Sequence, residues 1–202
     1  IDEWIKVDSG YCLFNGYYDY LVLRVDGSHN NGVRMSLTGQ VFAIMSGVAT
    51  REQVSEAYRS VKKYLWDKRL KGFRLNTDFK EIQPNLGRAF SFAYGEKENG
   101  AFFSHMNVMF AYALYKRGFV KEGFEVINSI YNMCLNTSVS KIYPGIPEYF
   151  NSEGRGMYSY LTGSASWLLF TMLTQVFGVA GDTGNLVIDP KLVKSQFGKS
   201  RK

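Results

Sequence analysis

The sequence has little cysteine and no segment long enough to enter a membrane. Its 202 residues include two cysteines, Cys12 and Cys134, which lie far apart along the chain. Cys134 falls on the apolar stripe of a predicted helix, so two free buried thiols in a reducing compartment are favoured over a disulfide. The chain has no apolar run of 18 residues and no signal-peptide pattern at Ile1–Trp4. These absences predict a cytoplasmic protein that makes no membrane contact.

Strong charge of either sign is also missing. Lysine and arginine number 24 against 18 acidic residues, a net charge of +6. Part of that excess lies in the last nine residues, which hold Lys194, Lys199, Arg201 and Lys202. Without a basic helical face or a nucleic-acid motif, we expect no nucleic-acid partner. A mildly positive field suits a phosphate or sugar-phosphate ligand. No metal site is predicted.

Aromatic and aliphatic residues are abundant. The hydrophobic fraction is 46%, with 14 tyrosines and 15 phenylalanines, enough to bury the core of one globular unit. We divide the chain into a loop and strand-like entry segment (1–34), a helical body (35–180) and a terminal strand with a basic tail (181–202). The chain does not begin with Met, and we expect it to be a fragment.

Hydrophobic spacing predicts about five long helices. A strand is predicted over 17–25, between two turn signals. A helix follows with Leu37, Val41 and Ile44 on its buried face, and a Thr50–Gln53 capping box begins the next. After an irregular connection over 70–100, a second helix pair ends near Cys134. The last helix, 164–177, is apolar on nearly every side, and 184–190 reads as a strand.

Two polar stretches each precede an apolar helix. They are Glu98-Asn99-Gly100-Ala101-Phe102-Phe103-Ser104-His105 and Tyr160-Leu161-Thr162-Gly163-Ser164-Ala165-Ser166-Trp167. A helix start offers free backbone N–H groups and the positive end of the helix dipole, and a glycine there lets an anion approach closely. Thr162 also reads as an ordinary N-cap, so the stretch alone leaves both interpretations open.

These motifs, in order with Met35-Ser36-Leu37-Thr38-Gly39-Gln40-Val41-Phe42-Ala43-Ile44-Met45-Ser46-Gly47, extend over nearly the whole chain. The sequence resembles the inverting β-glycoside phosphorylases of the cellobiose and chitobiose phosphorylase family, glycoside hydrolase family 94. The nearest likeness is to the β-1,2-oligoglucan phosphorylases and the phosphorylase-like module of cyclic β-1,2-glucan synthases. The resemblance implies a mainly α fold, the C-terminal half of an (α/α)6 toroid-type barrel with a few strand segments at either end.

The resemblance also implies roles for individual residues. Phosphate binding is expected from the His105 imidazole, the Thr162 hydroxyl and the Gly163 backbone N–H. Glu98 matches a glutamate that binds hydroxyls of the acceptor sugar. From the residues themselves, Arg155 is a candidate contact to phosphate or sugar, and Tyr158 belongs to an aromatic group suited to stacking on pyranose rings.

The family's general acid and phosphate-binding arginines are expected before Ile1, so no catalytic residue is assigned in this chain. Phosphate is the co-substrate, no cofactor is expected, and the isolated chain should be inactive. The partners expected are a β-linked glucooligosaccharide and phosphate.

Two other interpretations stay open: a non-catalytic helical carbohydrate-binding or interaction module, and a helical scaffold whose motifs are caps only. A half barrel exposes apolar surface, which predicts self-association or binding to the missing N-terminal half.

Overall fold

The computed structural model describes residues 3–7, 9–159 and 162–198. Tyr160 and Leu161 of the second polar stretch lie outside the described residues, as do Lys199, Arg201 and Lys202 of the predicted basic tail. None of the helices in the described ranges is both long and apolar enough to cross a bilayer. Cys12 and Cys134 are free thiols, as the sequence predicts, and both are half-buried rather than buried.

Six α-helices and eleven short strands form the described part of the chain. The helices are α1 (Leu37–Ser46), α2 (Arg51–Tyr64), α3 (Ser104–Lys116), α4 (Val120–Leu135), α5 (Thr137–Ser140) and α6 (Gly163–Thr171), the last continued by a π-helical turn, Met172–Val176. The strands are β1 (Trp4–Lys6), β2 (Cys12–Phe14), β3 (Gly27–His29), β4 (Gly32–Arg34), β5 (Trp66–Asp67), β6 (Gly72–Phe73), β7 (Phe102–Phe103), β8 (Pro147–Phe150), β9 (Gly156–Ser159), β10 (Val179–Asp182) and β11 (Asn185–Ile188).

The helix signals in the sequence are confirmed locally. Thr50 caps α2 by accepting a bond from the Gln53 backbone N–H, and the Gln53 side chain accepts from Thr50 N–H in return. Past the end of α3, Arg117 donates to the carbonyl oxygens of Ile44 and Ala49 and so fixes the end of α1. These contacts satisfy backbone groups that a helix end leaves unpaired.

The predicted strand over 17–25 is wrong. Tyr18 and Arg24 form an isolated antiparallel bridge, and the residues between them make a tight turn. The Asp19 carboxylate accepts bonds from the backbone N–H groups of Leu21 and Leu23, at 2.9 and 2.8 Å. A short acidic side chain therefore replaces the partner strand that a ladder would need. The terminal strand over 184–190 is confirmed as β11, which pairs with β10.

The central helix of the molecule is α3. Nine of its residues are buried, on every side of the helix, because α1, α4 and α6 all pack around it. The predicted helix over 164–177 is apolar on nearly every side, but α6 leaves Leu169 and Phe170 62% and 45% exposed. Only one face of α6 contacts α3, and the described residues do not cover the other.

The expected fold class, mainly α and half of an (α/α)6 barrel, is wrong. The structure is 42% helical and 21% strand, with the strands in small antiparallel sheets. Helices α1, α4 and α6 pack around α3, with short antiparallel strand pairs between the helices along the chain. Strands of two to four residues are too short to show a clear alternation of hydrophobic and polar residues in the sequence. The helical periodicity is the stronger signal. The fold is therefore mixed, with helices and short sheets interleaved along the chain.

One sheet positions the two polar stretches. Its order is β7-β8-β9, with Phe103 opposite Tyr149 and Tyr149 opposite Met157. Strand β7 runs directly into α3, and β9 precedes α6 by three residues. Because β8 pairs with both strands, the sheet brings the beginnings of α3 and α6 to the same end of the molecule.

Candidate functional site

The imidazole of His105 packs directly on the backbone of Gly163. A Cβ atom built on Gly163 would lie 2.6 Å from Cε1 and 2.8 Å from Nδ1 of His105. Real Cβ atoms do not approach other atoms so closely, so this contact requires a glycine. The Trp167 ring, one turn further along α6, lies 6.0 Å from the imidazole centroid. The structure thus joins two motifs that are more than fifty residues apart in sequence.

Thr162 is the N-cap of α6. Its hydroxyl oxygen accepts a bond from the Ser164 backbone N–H at 3.1 Å and lies 3.0 Å from the Ser164 hydroxyl. The capping interpretation of Thr162 is therefore correct at the level of local structure. A hydroxyl that accepts a backbone bond keeps its own hydrogen to donate, so capping leaves Thr162 able to bind an anion.

The environment of His105 opposes a positive charge. Burial lowers the pKa of the imidazole, and the negative charge of Glu148 on β8 acts in the opposite direction. The ring lies in the first turn of α3, where the helix dipole also disfavours a cation. Its Nε2 atom is buried and has no hydrogen-bond partner among the described residues. Such an atom is available to a ligand.

Glu98 lies on a loop that polar side chains hold firmly. Gly100 N–H donates to Asn76 Oδ1 at 2.8 Å, and Asn76 Nδ2 donates to Asn99 Oδ1 at 3.1 Å. Arg74 Nη1 donates to the carbonyl oxygen of Gly100 at 2.9 Å. The loop is thereby fixed immediately before β7, although Asn76 and Arg74 lie more than twenty residues earlier in the chain.

The Glu98 carboxylate faces a small cavity of about 250 Å³. Its Oε2 atom is buried and has no partner among the described residues. The residues lining the cavity combine hydroxyl and amide groups with aromatic and aliphatic surface: Gly16, Tyr17, Ser36, Thr38, Leu75, Asn76, Ala89, Phe90, Phe103 and Met106. Thr162 lines a different cavity, of about 360 Å³, with Pro144 and Ser159 among its neighbours. Glu98 and Thr162 therefore do not share one cavity.

Tyr158 is an exposed aromatic residue in a strained conformation. Its φ is 51°, in the left-handed region, and 58% of the residue is accessible to solvent. The ring lies 6.0 Å from that of Tyr149, and the ammonium of Lys97 lies 5.6 Å from its centroid. Lys97, next to Glu98, also has a positive φ, 47°. Strained non-glycine residues are enriched at ligand sites because folding alone does not favour them.

Arg155 lies at the other end of β9 from Thr162. Its backbone closes the β8–β9 turn by bonding to Asn151, and its side chain is exposed. In the same turn, the backbone N–H of Ser152 donates to the carbonyl oxygen of Gly95. Arg155 is thus near the loop that carries Glu98, and the length of β9 separates it from the start of α6.

A family model matches most of the chain. The model for the glycosyl hydrolase 94 superfamily, catalytic domain, matches residues 13–178. The chain belongs to this family.

Three phosphorylases resemble the chain at low sequence identity. A cellobionic acid phosphorylase of Neurospora crassa is 25% identical over 80% of the chain. An N,N'-diacetylchitobiose phosphorylase of Vibrio proteolyticus is 26% identical over 78% of it, and a 3-O-beta-D-glucopyranosyl-beta-D-glucuronide phosphorylase of Paenibacillus borealis is 25% identical over 78%. The chain spans about a fifth of the length of each of these relatives.

Sequence analysis assigned no role to Asp26, whose carboxylate is buried beside the cavity that Glu98 lines. Asp26 is 3% exposed, and its Oδ2 accepts bonds from the backbone N–H of Gly16 and the hydroxyl of Ser36, at 2.6 and 2.7 Å. Burial raises the pKa of Asp26 to about 6. Gly16 and Ser36 both line the cavity. The turn at Asp26-Gly27 gives no sign in the sequence that the acid faces inward.

Glu148 is the other residue that the motifs did not reveal. It lies on the central strand of the β7-β8-β9 sheet and is half-buried. In sequence, Glu148 lies between the two motifs, in a segment whose prolines and glycines predict only a connection. A group of three or more metal-ligating side chains is absent from the described residues.

Proposed function

We propose that this chain is part of an inverting glycoside phosphorylase, in which it binds phosphate and the acceptor sugar and does not supply the general acid. The observation that carries the proposal is the contact between His105 and Gly163 at the start of α6. The named relatives are phosphorylases, and membership of the family supports the same reaction class here. The proposed substrate is a β-linked glucooligosaccharide, of the β-1,2-oligoglucan type.

The proposed phosphate site uses three kinds of donor. The first N–H groups of a helix have no acceptor within it, so the Gly163 N–H at the start of α6 is available to an anion. The Thr162 hydroxyl and a His105 ring N–H add two directed bonds. In an inverting phosphorolysis, phosphate is the nucleophile that attacks the anomeric carbon, and it is already an anion at neutral pH. The protein's task is then to hold it in line, which fixed N–H and O–H dipoles do well.

The proposed acceptor site lies around Glu98 and Tyr158. A buried carboxylate oxygen without a partner is an acceptor for sugar hydroxyls, and one carboxylate can accept from two adjacent hydroxyls. The exposed Tyr158 ring offers an apolar face to a pyranose. Arg155 is proposed as a contact at the edge of this site, since its turn bonds to Gly95 in the same loop.

The direct test is phosphate binding to the chain. The Cε1–H resonance of His105 should shift on titration with inorganic phosphate, and Thr162→Val should weaken this binding about tenfold, because a hydrogen bond to a charged ligand is lost. Thr174→Val is the matched control, since its hydroxyl donates to the carbonyl oxygen of Phe170 at the far end of the same segment. Equal effects of the two variants, or no shift at His105, would contradict the phosphate site.

Activity measurements test the proposal that this chain does not supply the general acid. The chain alone, given phosphate and β-1,2-linked glucooligosaccharides, should release no sugar 1-phosphate, whereas the longer protein that contains it should do so. Sugar 1-phosphate from the chain alone would refute the absence of a general acid. A longer protein that binds the sugar and lacks activity would identify a non-catalytic carbohydrate-binding module instead.

A further inference from the structure

Glu148 is placed by the sheet beside the start of α3. Strand β7 pairs with β8 through Phe102 opposite Phe150 and Phe103 opposite Tyr149. The next position along this antiparallel register sets Glu148 opposite Ser104, the residue before His105, where β7 gives way to α3. On the other side of β8, Tyr149 pairs with Met157 and Pro147 with Ser159, so Glu148 lies between these two pairs.

Among the described residues, Glu148 is the charged group that acts on the His105 imidazole. Helix α1 has none, and α6 contributes Gly163 and Trp167 to the contact. On α4, Glu125 is bonded to Tyr58 and Lys62 of α2. The remaining neighbours on α3 and β8 are phenols. Tyr112 packs against Trp167, and burial raises the pKa of Tyr149 to about 12, so it stays neutral.

Glu148 is a half-buried carboxylate beside the proposed phosphate site, where its negative charge can have two opposite effects. Acting on phosphate alone, it would repel the ligand and weaken binding. Acting on the imidazole, it would favour the protonated form, which donates from both ring nitrogens and carries a charge opposite to that of phosphate. Burial and the α3 dipole both disfavour the protonated imidazole, and the negative charge of Glu148 offsets part of their effect.

We propose that Glu148 is a positioning residue that favours protonation of His105 and so strengthens phosphate binding. The inference rests on the proposed phosphate role of His105 and adds to it a residue that contacts neither substrate. It implies that phosphate binding is coupled to the protonation of one imidazole, and that Glu148 sets the pH range over which the site is occupied.

The first experiment needs no phosphate. The sequence has two histidines, His29 and His105, so the Cε1–H resonances of the full chain can be assigned with a His29→Gln variant. Replacing Glu148 by Gln should lower the pKa of His105 and leave that of His29 unchanged. Glu153→Gln is the matched control, because Glu153 lies exposed in the turn of the same hairpin. An identical His105 titration in wild type and E148Q would overturn the inference.

The second experiment separates the two effects of the charge. If Glu148 acts through His105, E148Q should bind inorganic phosphate about fivefold more weakly near pH 7, because a charge-assisted bond is lost. The difference should vanish at acidic pH, where His105 is protonated in wild type and in E148Q. Tighter binding by E148Q at every pH would mean that the carboxylate only repels the anion, and would overturn the inference. Glu148→Asp retains the charge and should keep most of the wild-type behaviour if E148Q does not fold.

The two proposals fail differently. A wild-type His105 resonance that ignores phosphate removes the proposed function, and with it the purpose assigned to Glu148. A resonance that responds to phosphate, with the same titration in wild type and E148Q, removes only the inference about Glu148.

Discussion

Gly16 and Gly39 touch backbone to backbone. A Cβ on Gly39 would lie 2.6 Å from the Cα of Gly16, and one on Gly16 would lie 2.7 Å from the Gly39 nitrogen. The contact sets α1 against the segment after β2. It also fixes one wall of the Glu98 cavity, which Gly16, Ser36 and Thr38 line together.

We expect Gly39→Ala to destabilise the protein by at least about 2 kcal/mol, because the methyl group must displace backbone that cannot yield as a side chain would. In an exposed helix the same change stabilises by about 1 kcal/mol, so the predicted sign is the opposite of the helix-propensity effect. Urea denaturation measures the difference. Gly181→Ala, where a Cβ meets no atom within 4 Å, is the control. A neutral or stabilising result for G39A would show that the close contact is absent.

Gly163→Ala should weaken phosphate binding and have little effect on folding stability. Alanine suits the first turn of α6, so stability should change little, but the methyl group must push the His105 ring aside. We expect phosphate binding to fall about tenfold, since two donors lose their alignment. Calorimetric titration with phosphate and a thermal melt measure the two quantities. Unchanged affinity with a lowered melting temperature would mean that the contact is only structural.

The buried Asp26 should make stability depend on pH. Its pKa is raised to about 6 by burial, above the value of about 4 in an unfolded chain. The folded state thus favours the protonated acid, and this contribution to stability is complete below about pH 4 and lost as the pH rises through about 6.

The isosteric variant Asp26→Asn removes that titration. It should be more stable than wild type by about 2 kcal/mol at pH 8, and the advantage should disappear at pH 4. Urea denaturation at both pH values measures this. Asp182→Asn, at an exposed carboxylate on β10, controls for the change in net charge. A constant difference at both pH values would argue against the titration of Asp26 in this range.

Tyr158 is predicted to bind sugar through its ring. Tyr158→Asn should keep the backbone, because asparagine tolerates a positive φ, and should weaken binding of a β-linked glucooligosaccharide about fivefold through loss of the aromatic face. Tyr158→Phe keeps the face and should bind nearly as well as wild type. Calorimetric titration with the oligosaccharide measures both. If Y158F loses as much affinity as Y158N, the hydroxyl and not the ring makes the contact.

The exposed face of α6 should promote association. Leu169 and Phe170 on α6 and Leu173 on its π-helical continuation are 62%, 45% and 48% exposed. Apolar surface of this kind is commonly covered by another chain or domain. We expect the isolated chain to self-associate with rising concentration and Leu173→Lys to reduce this. Tyr20→Lys, at another exposed apolar site, is the control. Sedimentation that shows a monomer at high concentration would contradict the prediction.

Local sequence patterns were enough to predict most of the long helices and the positions of the motifs. The Thr50 capping box, the 3.6-residue period of α3 and α4, and β11 near the end of the chain were all predictable because they depend on residues close together along the backbone. Family membership followed from motif order in the same way. A turn closed by the Asp19 carboxylate was predicted as a strand, since apolar residues at 20–23 resemble one locally.

Which elements lie at the centre, and which side chains are in contact, depends on tertiary packing. Packing on several sides buried α3 and left α6 half uncovered, although α6 is the more uniformly apolar, because burial depends on neighbours and not on composition. Pairing of β7 with β8 set Glu148 beside the start of α3, and the approach of α6 to α3 placed His105 on Gly163. Such contacts join residues tens of positions apart, and their geometry is set by the register of strands and the packing of helices, which no local pattern encodes.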